Sequence, residues 1–536
     1  MGWAAMADGQ GRAVAAEKSP EVSVANFWDW VHLDPDRIAI VEVDGREVTF
    51  GALAERTHAT AHALKALGLR PGDAVATMMR NRSECYELFL AALNCGWYYV
   101  PINHHGTADD VWWVLDDAEV KAVFVEAEFA ARVTPAADRV GLASMMRFSA
   151  DAAEGFCLWA DLRRDRPTTR PDSGVAGEVM QYTSGTTGRP KGVRRPIGDR
   201  SADEAVAATG WLLRVFGMTP GDGAHLVTAP IYHSAVHSTS IAALHFGQTV
   251  VLMEKWTADG CLDLIERRRI SSSHMVATHF HRLLQLPQAR REAADVSSLT
   301  HILHGAAPTP VETKARMIEW LGPVIHEYYG SSEVGGTYVS AQDWLKKPGT
   351  VGLPFSISEL RILDEAGQEV PTGTVGSIWM RQGDQRFSYH KDSDKTARST
   401  RGQFIHVGDY GYVDEDGYLF LAGRDAEIII SGGVNIYPAA VEGRLLQHPA
   451  VRDCAVIGVP NAEFGEEVKA VVSLNDGVSP GVATEAALIA HCREDLSPIV
   501  CPRSIDFVDD LERDPSGKLR KRVLRDRYWP ARGERA

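Results

Sequence analysis

Short apolar runs that alternate with helix-like segments constrain the fold of this chain more than any other feature. Such runs lie at residues 74–78, 120–125, 225–229 and 249–253. Helical patterns follow the first and the last of them, at 85–93 and 262–268. Strands of this length that alternate with helices are typical of α/β folds. The pattern predicts an α/β architecture for this part of the chain.

The sequence texture changes in the second part of the chain. After residue 350 the segments are β-rich and are separated by turns such as 365–367 and 415–417. From residue 428 a compact α+β pattern follows, with a helix through Val441 and an apolar run at 454–459. A chain of 536 residues also exceeds the size at which a single core stops growing. We therefore expect at least two domains, after a flexible N-terminus at residues 1–20.

Charge and cysteine usage narrow the classes of partner and the compartment. The net charge of −15 argues against nucleic acid or an anionic membrane as the main partner. The seven cysteines are scattered and none forms a C-x-x-C pair, which is typical of a reducing compartment. The first twenty residues lack the apolar core of a secretory signal, and no apolar run is long enough to span a bilayer. These observations predict a cytoplasmic protein.

The segment 182–193 carries the strongest functional signal. Four hydroxyl residues and two glycines occupy positions 183–188, and Lys191 follows. Glycines allow close backbone approach, so that amide and hydroxyl donors can converge on one cluster of oxygens. The segment therefore predicts a phosphate-binding loop. It is not the common phosphate loop G-x-x-x-x-G-K-[ST], because Pro190 stands where the second glycine belongs.

Further clusters follow downstream, each ambiguous by itself. Tyr329 and Glu333 could stack on a planar base and hold a divalent cation, or could belong to a surface turn. Asp409, which we expect at the end of an apolar strand, could accept from ribose hydroxyls or could be a turn residue. The Gly432–Gly433 pair fits a hinge or turn as well as a ligand site. Lys518 could equally be a solvated surface lysine.

Taken in order, these segments resemble the adenylate-forming superfamily, which includes acyl-CoA synthetases, adenylation domains of peptide synthetases and firefly luciferase. The similarity extends from about residue 25 to residue 530. The matching segments are 182–193, 230–233, 305–308, 329–333, 406–409, 423–424 and 516–518. The resemblance implies a large N-terminal domain of stacked mixed sheets with helices and a β-rich subdomain, at residues 21–424. A small mobile α+β domain would follow at 425–536.

The resemblance also implies a two-step ligation. A substrate carboxylate would attack the α-phosphorus of ATP, and a thiol, most often that of coenzyme A, would then release AMP from the acyl adenylate. Such chemistry depends on alignment and charge stabilisation more than on a covalent nucleophile. Lys518, His233 and Glu333 are the catalytic candidates, and Glu333 and Thr183 are the candidates for Mg²⁺.

The remaining roles follow from the same resemblance. It assigns ATP binding to Thr183, Ser184, Gly185, Thr186, Thr187, Gly188, Lys191, Gly305, Ala306, Ala307, Glu327, Tyr328, Tyr329, Gly330, Ser331, Ser332, Asp409 and Arg424. It assigns the acyl pocket to His233, Ser234, Val236, Thr278, His279, Gly305 and Gly330, and coenzyme A to Ser431, Gly432 and Gly433. No acidic residue stands where amino-acid-activating members hold the substrate ammonium. This favours a hydrophobic acid, and the motif details are similar to those of fatty-acid and steroid or terpenoid acyl-CoA synthetases.

The chain departs from the family pattern at a few positions. Ala426 replaces the usual Asp or Lys of the hinge, two residues after Arg424, and leaves the balance between the two lid positions open. Val407 replaces the usual Thr before Gly-Asp, and Ser332 replaces the usual Thr before Glu333. The second change keeps a hydroxyl group and is mild.

Two other features of the sequence could suggest different functions. His233 and His237 could share a helix face and bind zinc, but Ser234 stands where an H-E-x-x-H motif requires Glu. Trp112–Trp113 and the basic tail 518–522 could suggest nucleic-acid binding, which the acidic net charge opposes. Three alternatives stay open: an acyl-CoA ligase that runs both half-reactions, a member that runs one half-reaction or loads a carrier protein, and a non-catalytic nucleotide-binding homologue. Monomer and homodimer also stay open.

Overall fold

The computed structural model describes most of the chain. The described residues are 26–172, 174–183, 190–221, 223–307, 309–331, 333–383, 386–511, 513, 519 and 521–529. The helices are α1 Phe27–Leu33, α2 Phe50–Ala66, α3 Ser83–Cys95, α4 Ala108–Asp117, α5 Ala127–Arg139, α6 Trp159–Arg163, α7 Ala202–Thr209, α8 Trp211–Val215, α9 Ser234–His245, α10 Ala258–Arg267, α11 Ala277–Leu284, α12 Gln288–Ala293, α13 Val311–Leu321, α14 Ala341–Lys346, α15 Ser393–Arg398, α16 Pro438–Leu446, α17 Val482–Asp495 and α18 Lys521–Asp526. Short 3₁₀ turns lie at Ser144–Met146 and Asp425–Glu427.

The strands are short up to residue 450 and two of them are long beyond it. They are β1 Ile38–Val41, β2 Glu47–Thr49, β3 Ala74–Met78, β4 Tyr98–Pro101, β5 Val120–Val125, β6 Arg147–Ser149, β7 Cys157–Leu158, β8 Glu178–Val179, β9 Gln181–Thr183, β10 Lys191–Arg194, β11 Ala224–Val227, β12 Thr249–Leu252, β13 Ser272–Met275, β14 His301–His304, β15 Ile325–Gly330, β16 Gly335–Val339, β17 Thr350–Pro354, β18 Ser358–Leu363, β19 Gly376–Gln382 and β20 Ser388–Tyr389. The chain continues with β21 Thr400–Arg401, β22 Phe404–Ile405, β23 Asp409–Val413, β24 Leu419–Arg424, β25 Ile429–Ser431, β26 Val434–Ile436, β27 Val451–Asn461, β28 Gly465–Leu474 and β29 Ser504–Phe507.

The first sheet is parallel and has the strand order β7-β6-β5-β3-β4-β8. All five residues of β3 are buried, as expected for a parallel strand covered on both faces. Helix α3 follows β3 and is buried along its whole length. It ends at Gly96, whose φ of 73° is the left-handed conformation that glycine adopts most readily. This sheet confirms the α/β prediction for the first part of the chain.

The second sheet is mixed and includes strands from both the predicted α/β region and the predicted β-rich region. Its order is β2-β1-β12-β11-β13-β14-β15-β16-β17-β24-β23-β19-β22-β21, and β18 pairs with β19. The strands from β1 to β15 pair in parallel, apart from the antiparallel edge strand β2. The strands from β16 onward pair antiparallel and form the β-rich region that the turns predicted. Strand β15 therefore lies where the two architectures meet.

A small antiparallel sheet, β20-β10-β9, frames the segment 184–189. The C-terminal region has its own sheet, in which β26, β25, β28 and β27 are neighbours and β29 pairs with β28. Its core is separate and contains Val441 and Leu445 of α16 and Leu488 of α17. The predicted class, a large mixed α/β region followed by a small α+β region, is confirmed. Among the described helices, none combines the length and apolarity needed to cross a membrane.

Candidate functional site

A hairpin fixes both ends of the segment predicted to bind phosphate. Thr183 of β9 lies opposite Lys191 of β10 in the strand register. Trp113 donates its indole N–H to the carbonyl oxygen of Pro190 at 2.8 Å, and Tyr182 donates its hydroxyl to Asp117 at 2.7 Å. The two ends of the loop are therefore anchored on α4. The predicted ligands Ser184, Gly185, Thr186, Thr187 and Gly188 lie outside the described residues, and so do Ser332 and Lys518.

Lys191 is paired with a carboxylate that no motif contains. Its Nζ lies 2.5 Å from Oδ2 of Asp392, just before α15. Asp392 also accepts a hydrogen bond from the backbone N–H of Lys395 at 2.9 Å and so caps that helix. Two hydrogen bonds to one carboxylate fix the direction of the Lys191 side chain. The segment from β20 to α15 thus belongs to the site, although the sequence motifs did not identify it.

Glu333 is a buried carboxylate held by a phenol. Glu333 is 7% exposed, and its Oε1 accepts a hydrogen bond from the hydroxyl of Tyr389 at 2.8 Å. The backbone N–H of Glu333 donates to Oγ of Ser331 at 3.2 Å, which shapes the turn before it. Burial and the Glu333 charge raise the pKa of Tyr389, so the phenol stays protonated and remains a donor. The hydrogen bond from Tyr389 thereby occupies one oxygen of Glu333.

Asp409 is the second buried carboxylate, and its position relative to the neighbouring strands differs from the prediction. It begins β23 instead of ending an apolar strand, because the preceding strand stops at Ile405 and positive φ at Gly408 turns the backbone. Asp409 is 5% exposed. Oδ2 accepts from the hydroxyl of Tyr329 at 2.8 Å, and Oδ1 lies 2.9 Å from Nε of Arg424. The Asp409 charge raises the pKa of Arg424.

In the segment after β14, the backbone packs closely against the neighbouring strand β15. A side chain at Gly305 would place its Cβ 2.7 Å from the carbonyl oxygen of Tyr328, so only glycine fits there. Ala306 is exposed and has a φ of 64°, a conformation that residues other than glycine rarely adopt. Strain of this kind persists where the surroundings impose it and is concentrated at functional sites. Gly305, Ala306 and Ala307 therefore present main-chain groups close to Tyr328.

Glu327 and Tyr328 are adjacent in β15, and their partners lie on different elements. Glu327 lies 2.6 Å from Nζ of Lys314 in α13 and 3.4 Å from Nε2 of His304. Although burial acts in the other direction, His304 and Lys314 lower the pKa of Glu327 to about 2. The carboxylate is therefore ionised and occupied by protein groups. Glu327, which the family resemblance places in the ATP site, has the contacts of a supporting residue.

Neutral histidines characterise the region predicted to hold the acyl group. His233 precedes α9 at its N-cap, and Ser234 begins the helix. Nε2 of His274, in β13, lies 3.0 Å from the hydroxyl of Tyr328. His279 stacks on Trp256 with ring centroids 4.4 Å apart. Burial lowers the pKa of His274 and of His279 to about 3, so both rings are uncharged at neutral pH. Thr278 is half-buried at the start of α11, and Val236 is buried in α9.

The zinc interpretation of His233 and His237 finds no support. His237 is buried one turn into α9, where its ring lies 4.7 Å from Phe89 and 5.5 Å from Tyr99. Burial lowers its pKa to about 4, as expected for a neutral ring packed in a core. In the part of the chain that the structure describes, no group of three His, Cys, Asp or Glu residues could hold a metal ion.

The C-terminal region supplies a glycine turn and a charged anchor. Gly432 and Gly433, with φ of 56° and 81°, form the turn between β25 and β26, next to Ser431. Ala426 lies in the 3₁₀ turn Asp425–Glu427, and its side chain lies outside the part of the chain that the structure describes. Lys521, three residues after the predicted Lys518, lies 2.8 Å from Glu442 and 3.1 Å from Glu427.

Two contacts between described residues of the two regions lie at His281 and near residue 424. Nε2 of His281, at the end of α11, lies 2.5 Å from the carbonyl oxygen of Arg452 in β27. A Cβ on Gly423 would lie 3.0 Å from the ring of Tyr437, which shows how closely β24 approaches the start of α16.

Comparisons with known proteins agree with this arrangement. The model of the AMP-binding enzyme family matches residues 27–387, and that of the AMP-binding enzyme C-terminal domain matches residues 440–518. A fatty acid–[acyl-carrier-protein] ligase of Streptomyces coeruleorubidus is 31% identical over 91% of this chain and 92% of its own length. A 2-succinylbenzoate–CoA ligase of Bacillus cereus (strain Q1) is 30% identical over 92% of this chain and 96% of its own. The crystal structure of ATP-bound MatB from Rhodopseudomonas palustris superposes with a TM-score of 0.82 at 30% identity, covering 94% of this chain and 99% of that one.

Proposed function

The chain belongs to the family of AMP-binding enzymes, and on that basis we propose that it is an AMP-forming acid–thiol ligase. It activates a hydrophobic carboxylic acid with ATP to an acyl adenylate and transfers the acyl group to coenzyme A, with release of AMP. The observation that carries this proposal is a pair of buried carboxylates, Asp409 bonded to Tyr329 and Glu333 bonded to Tyr389. Asp409 and Glu333 are each held by a phenol, at 2.8 Å in both cases.

The nucleotide side supplies fixed charges and main-chain groups. Asp409 accepts hydrogen bonds from the ribose hydroxyls, and Arg424 holds the carboxylate in place. The ring of Tyr329 and the close backbone of Gly305–Ala307 receive the adenine base, with Gly330 and Ser331 completing the wall. The donors of the loop 183–188 and Lys191 bind the phosphates, where developing charge requires stabilisation.

Magnesium fits the donors at Glu333. Carboxylate oxygens are ligands that Mg²⁺ prefers, and the Tyr389 hydrogen bond to Oε1 fixes the orientation of the Glu333 carboxylate. When bound, the ion neutralises phosphate charge. Thr183 is the second candidate ligand at the start of the loop.

In the first step, an oxygen of the acid attacks the α-phosphorus while the bond to pyrophosphate breaks. Lys518 bridges the acid and the α-phosphate and compensates the charge that accumulates there. His233 stands at the N-cap of α9, at the entrance to the acyl pocket. Ser234, Val236, Thr278 and His279 line that pocket together with Gly305 and Gly330. Uncharged imidazoles and aromatic rings suit an acyl group without a net charge.

In the second step, the C-terminal domain rotates about Ala426, and Ser431, Gly432 and Gly433 face the thiol. We place the domain boundary between residues 424 and 425, since the last strand of the larger sheet ends at Arg424. The cytoplasm is the proposed location, and the seven free thiols support it.

A second candidate differs only in the acceptor. The relative from Streptomyces coeruleorubidus is named as a ligase for an acyl-carrier protein, at 31% identity. A phosphopantetheinyl carrier protein carries the same reactive thiol as coenzyme A, so the adenylation site would be unchanged.

One experiment tests both candidates. A panel of aliphatic, aryl and polycyclic acids is assayed for AMP release with no acceptor, with coenzyme A, and with a phosphopantetheinyl carrier protein. Acid-dependent AMP release that coenzyme A stimulates supports the first proposal, and stimulation by the carrier protein alone supports the second. ATP binding without AMP release for any acid would favour the non-catalytic homologue. Light scattering on the same preparation distinguishes a monomer from a homodimer.

A further inference from the structure

Lys395 lies beside the predicted phosphate site but belongs to none of the motifs. It is half-buried in α15, and its Nζ lies 3.7 Å from the ring centroid of Tyr389. The hydroxyl of that ring donates to Glu333 at 2.8 Å. A single aromatic ring therefore connects the ammonium of Lys395 to the carboxylate proposed to bind the metal.

The backbone around Lys395 is fixed on several sides. Tyr389 pairs with Val193 in the sheet that carries the loop, and its N–H donates to Oγ1 of Thr396 at 3.0 Å. The N–H of Lys395 donates to Asp392 at 2.9 Å. Because these contacts hold the first turn of α15 against β20, the position of the Lys395 side chain follows from the same sheet that positions Lys191.

The nearby carboxylates are already used. Asp392 forms its ion pair with Lys191 at 2.5 Å, and Glu333 is bonded to Tyr389. Within the described ranges, no carboxylate oxygen lies within 4.0 Å of the ammonium of Lys395, which contacts the face of Tyr389 instead. Residues 184–189, which complete the loop, contain no acidic residue.

Two cations and two carboxylates lie close together here. Burial and the charge of Lys191 lower the pKa of Lys395, while the charges of Glu333 and Asp392 act in the other direction. Cations that are brought together in this way are stabilised by a ligand with several negative oxygens. A polyphosphate provides such oxygens, whereas AMP carries only one phosphate.

We propose that Lys395 binds the β- and γ-phosphates of ATP together with Lys191, and that it stabilises the pyrophosphate that leaves. This inference rests on the proposed function. In the first step, the carboxylate oxygen forms a bond to the α-phosphorus as the bond to the α,β-bridging oxygen breaks. The electron pair departs with pyrophosphate, and Lys395 and Lys191 compensate the added charge.

The test compares K395M with K391M. Lys391 is four residues away, is exposed, and pairs with Glu119 at 3.0 Å, so it serves as a control of the same charge. Calorimetry measures the binding of ATP and AMP, and ATP–pyrophosphate exchange gives the KM for pyrophosphate. K395M should weaken ATP binding and raise the KM for pyrophosphate by about tenfold each, as expected for one lost charge-assisted contact. AMP affinity and thioester formation from a pre-formed acyl adenylate should not change.

A second variant separates charge from packing. K395R keeps the cation over the ring and should retain ATP affinity to within about threefold. Thermal unfolding of both variants shows whether either is misfolded. Wild-type affinity for ATP in K395M, or equal losses for ATP and AMP, would overturn the assignment of Lys395. Failure of the proposed function is distinct, because the wild-type protein itself would then release no AMP with any acid, whether or not it binds ATP.

Discussion

The nucleotide side and the acyl side of the site are built from opposite kinds of side chain. On the nucleotide side, Asp409 and Glu333 are buried carboxylates with a phenol hydrogen bond each. On the acyl side, His274 and His279 are buried and neutral, with pKa values lowered to about 3. One side thus fixes charge in place, and the other excludes it.

This difference separates two kinds of recognition. A charged ligand such as ATP needs fixed counter-charges and donors, which are costly to bury and therefore need specific partners. An uncharged acyl group is selected by shape and by a few hydrogen bonds. Substitutions on the two sides should therefore change different kinetic constants, and each of the following predictions tests that separation.

Lys518→Ala should have the largest effect, since this lysine is proposed to serve both sides at once. ATP–pyrophosphate exchange should fall by about 10³-fold, as for the loss of a group that stabilises transition-state charge. Thioester formation from a pre-formed acyl adenylate should persist. Arg522→Ala, a substitution in the same tail, is the control and should leave exchange near the wild-type rate. Normal exchange in the lysine variant would refute its role.

Asp409→Asn should follow in size and should affect the nucleotide alone. The amide weakens the bond to Arg424 and removes the charged acceptor for the ribose, so ATP affinity should fall by about 30–100-fold. The KM for the acid should change by less than about twofold. Calorimetry measures the ATP affinity, and steady-state kinetics measure the KM for the acid. Asp414→Asn, in the turn after β23, is the control for an ion-paired carboxylate with no proposed role in nucleotide binding. An equal change in both constants would break the proposed separation.

Acidification should destabilise the fold through the buried histidines, among them His274 of the acyl side. The folded pKa of His274 is about 3, below the unfolded value, so the unfolded chain binds a proton that the folded chain rejects. Stability from the neutral ring is complete above about pH 6.5 and is lost as pH falls toward 3. The free energy of unfolding should drop by about 1.4 kcal/mol per pH unit for each such histidine. Urea unfolding at pH 7.0 and 5.5 should show a smaller drop in His274→Gln than in the wild type. Equal drops would contradict a neutral buried ring.

Tyr328→Phe should give the smallest effect. It removes only the hydroxyl that contacts His274 at 3.0 Å, so the KM for the preferred acid should change by about five- to tenfold. Although the family resemblance assigns Tyr328 to ATP binding, its hydroxyl contacts His274 of the acyl side, so ATP affinity should stay at the wild-type value. Tyr338→Phe, on the neighbouring strand, is the control. A larger change for ATP than for the acid would assign Tyr328 to the nucleotide side instead.

The sequence predicted the architecture and the order of the site better than it predicted the contacts. The strands at 74–78 and 120–125 have the predicted bounds, because apolar runs of that length can only be satisfied in a covered sheet. The sequence predicted Asp409 at the end of a strand, because Val407 continues the apolar pattern. In the structure that strand ends at Ile405, and Asp409 begins the next one. Tyr389, Asp392 and Lys395 were not found. Their roles depend on the pairing of β20 with β10 across about two hundred residues, which no local pattern encodes.

Glu327 shows a different limit of the sequence. The family resemblance assigns it to ATP, just before the segment 329–333, and in the structure its carboxylate contacts Lys314 at 2.6 Å. Lys314 belongs to a helix, and nothing in the local sequence connects the two. A motif identifies the residues near a site, but the partner of each side chain is decided by packing between distant elements.

The pairing of β1 with β12 has a consequence for how the protein is made. Ile40 lies beside Val250, and the N–H of Phe27 donates to His245, 218 residues later. At ordinary rates of synthesis, about 5–20 residues per second, the first strand waits roughly 10–40 s for its partner. During that time β1 has its local partner β2, but the edge of β1 that pairs with β12 has emerged from the ribosome unpaired. Completion of this edge of the sheet is therefore late and non-local.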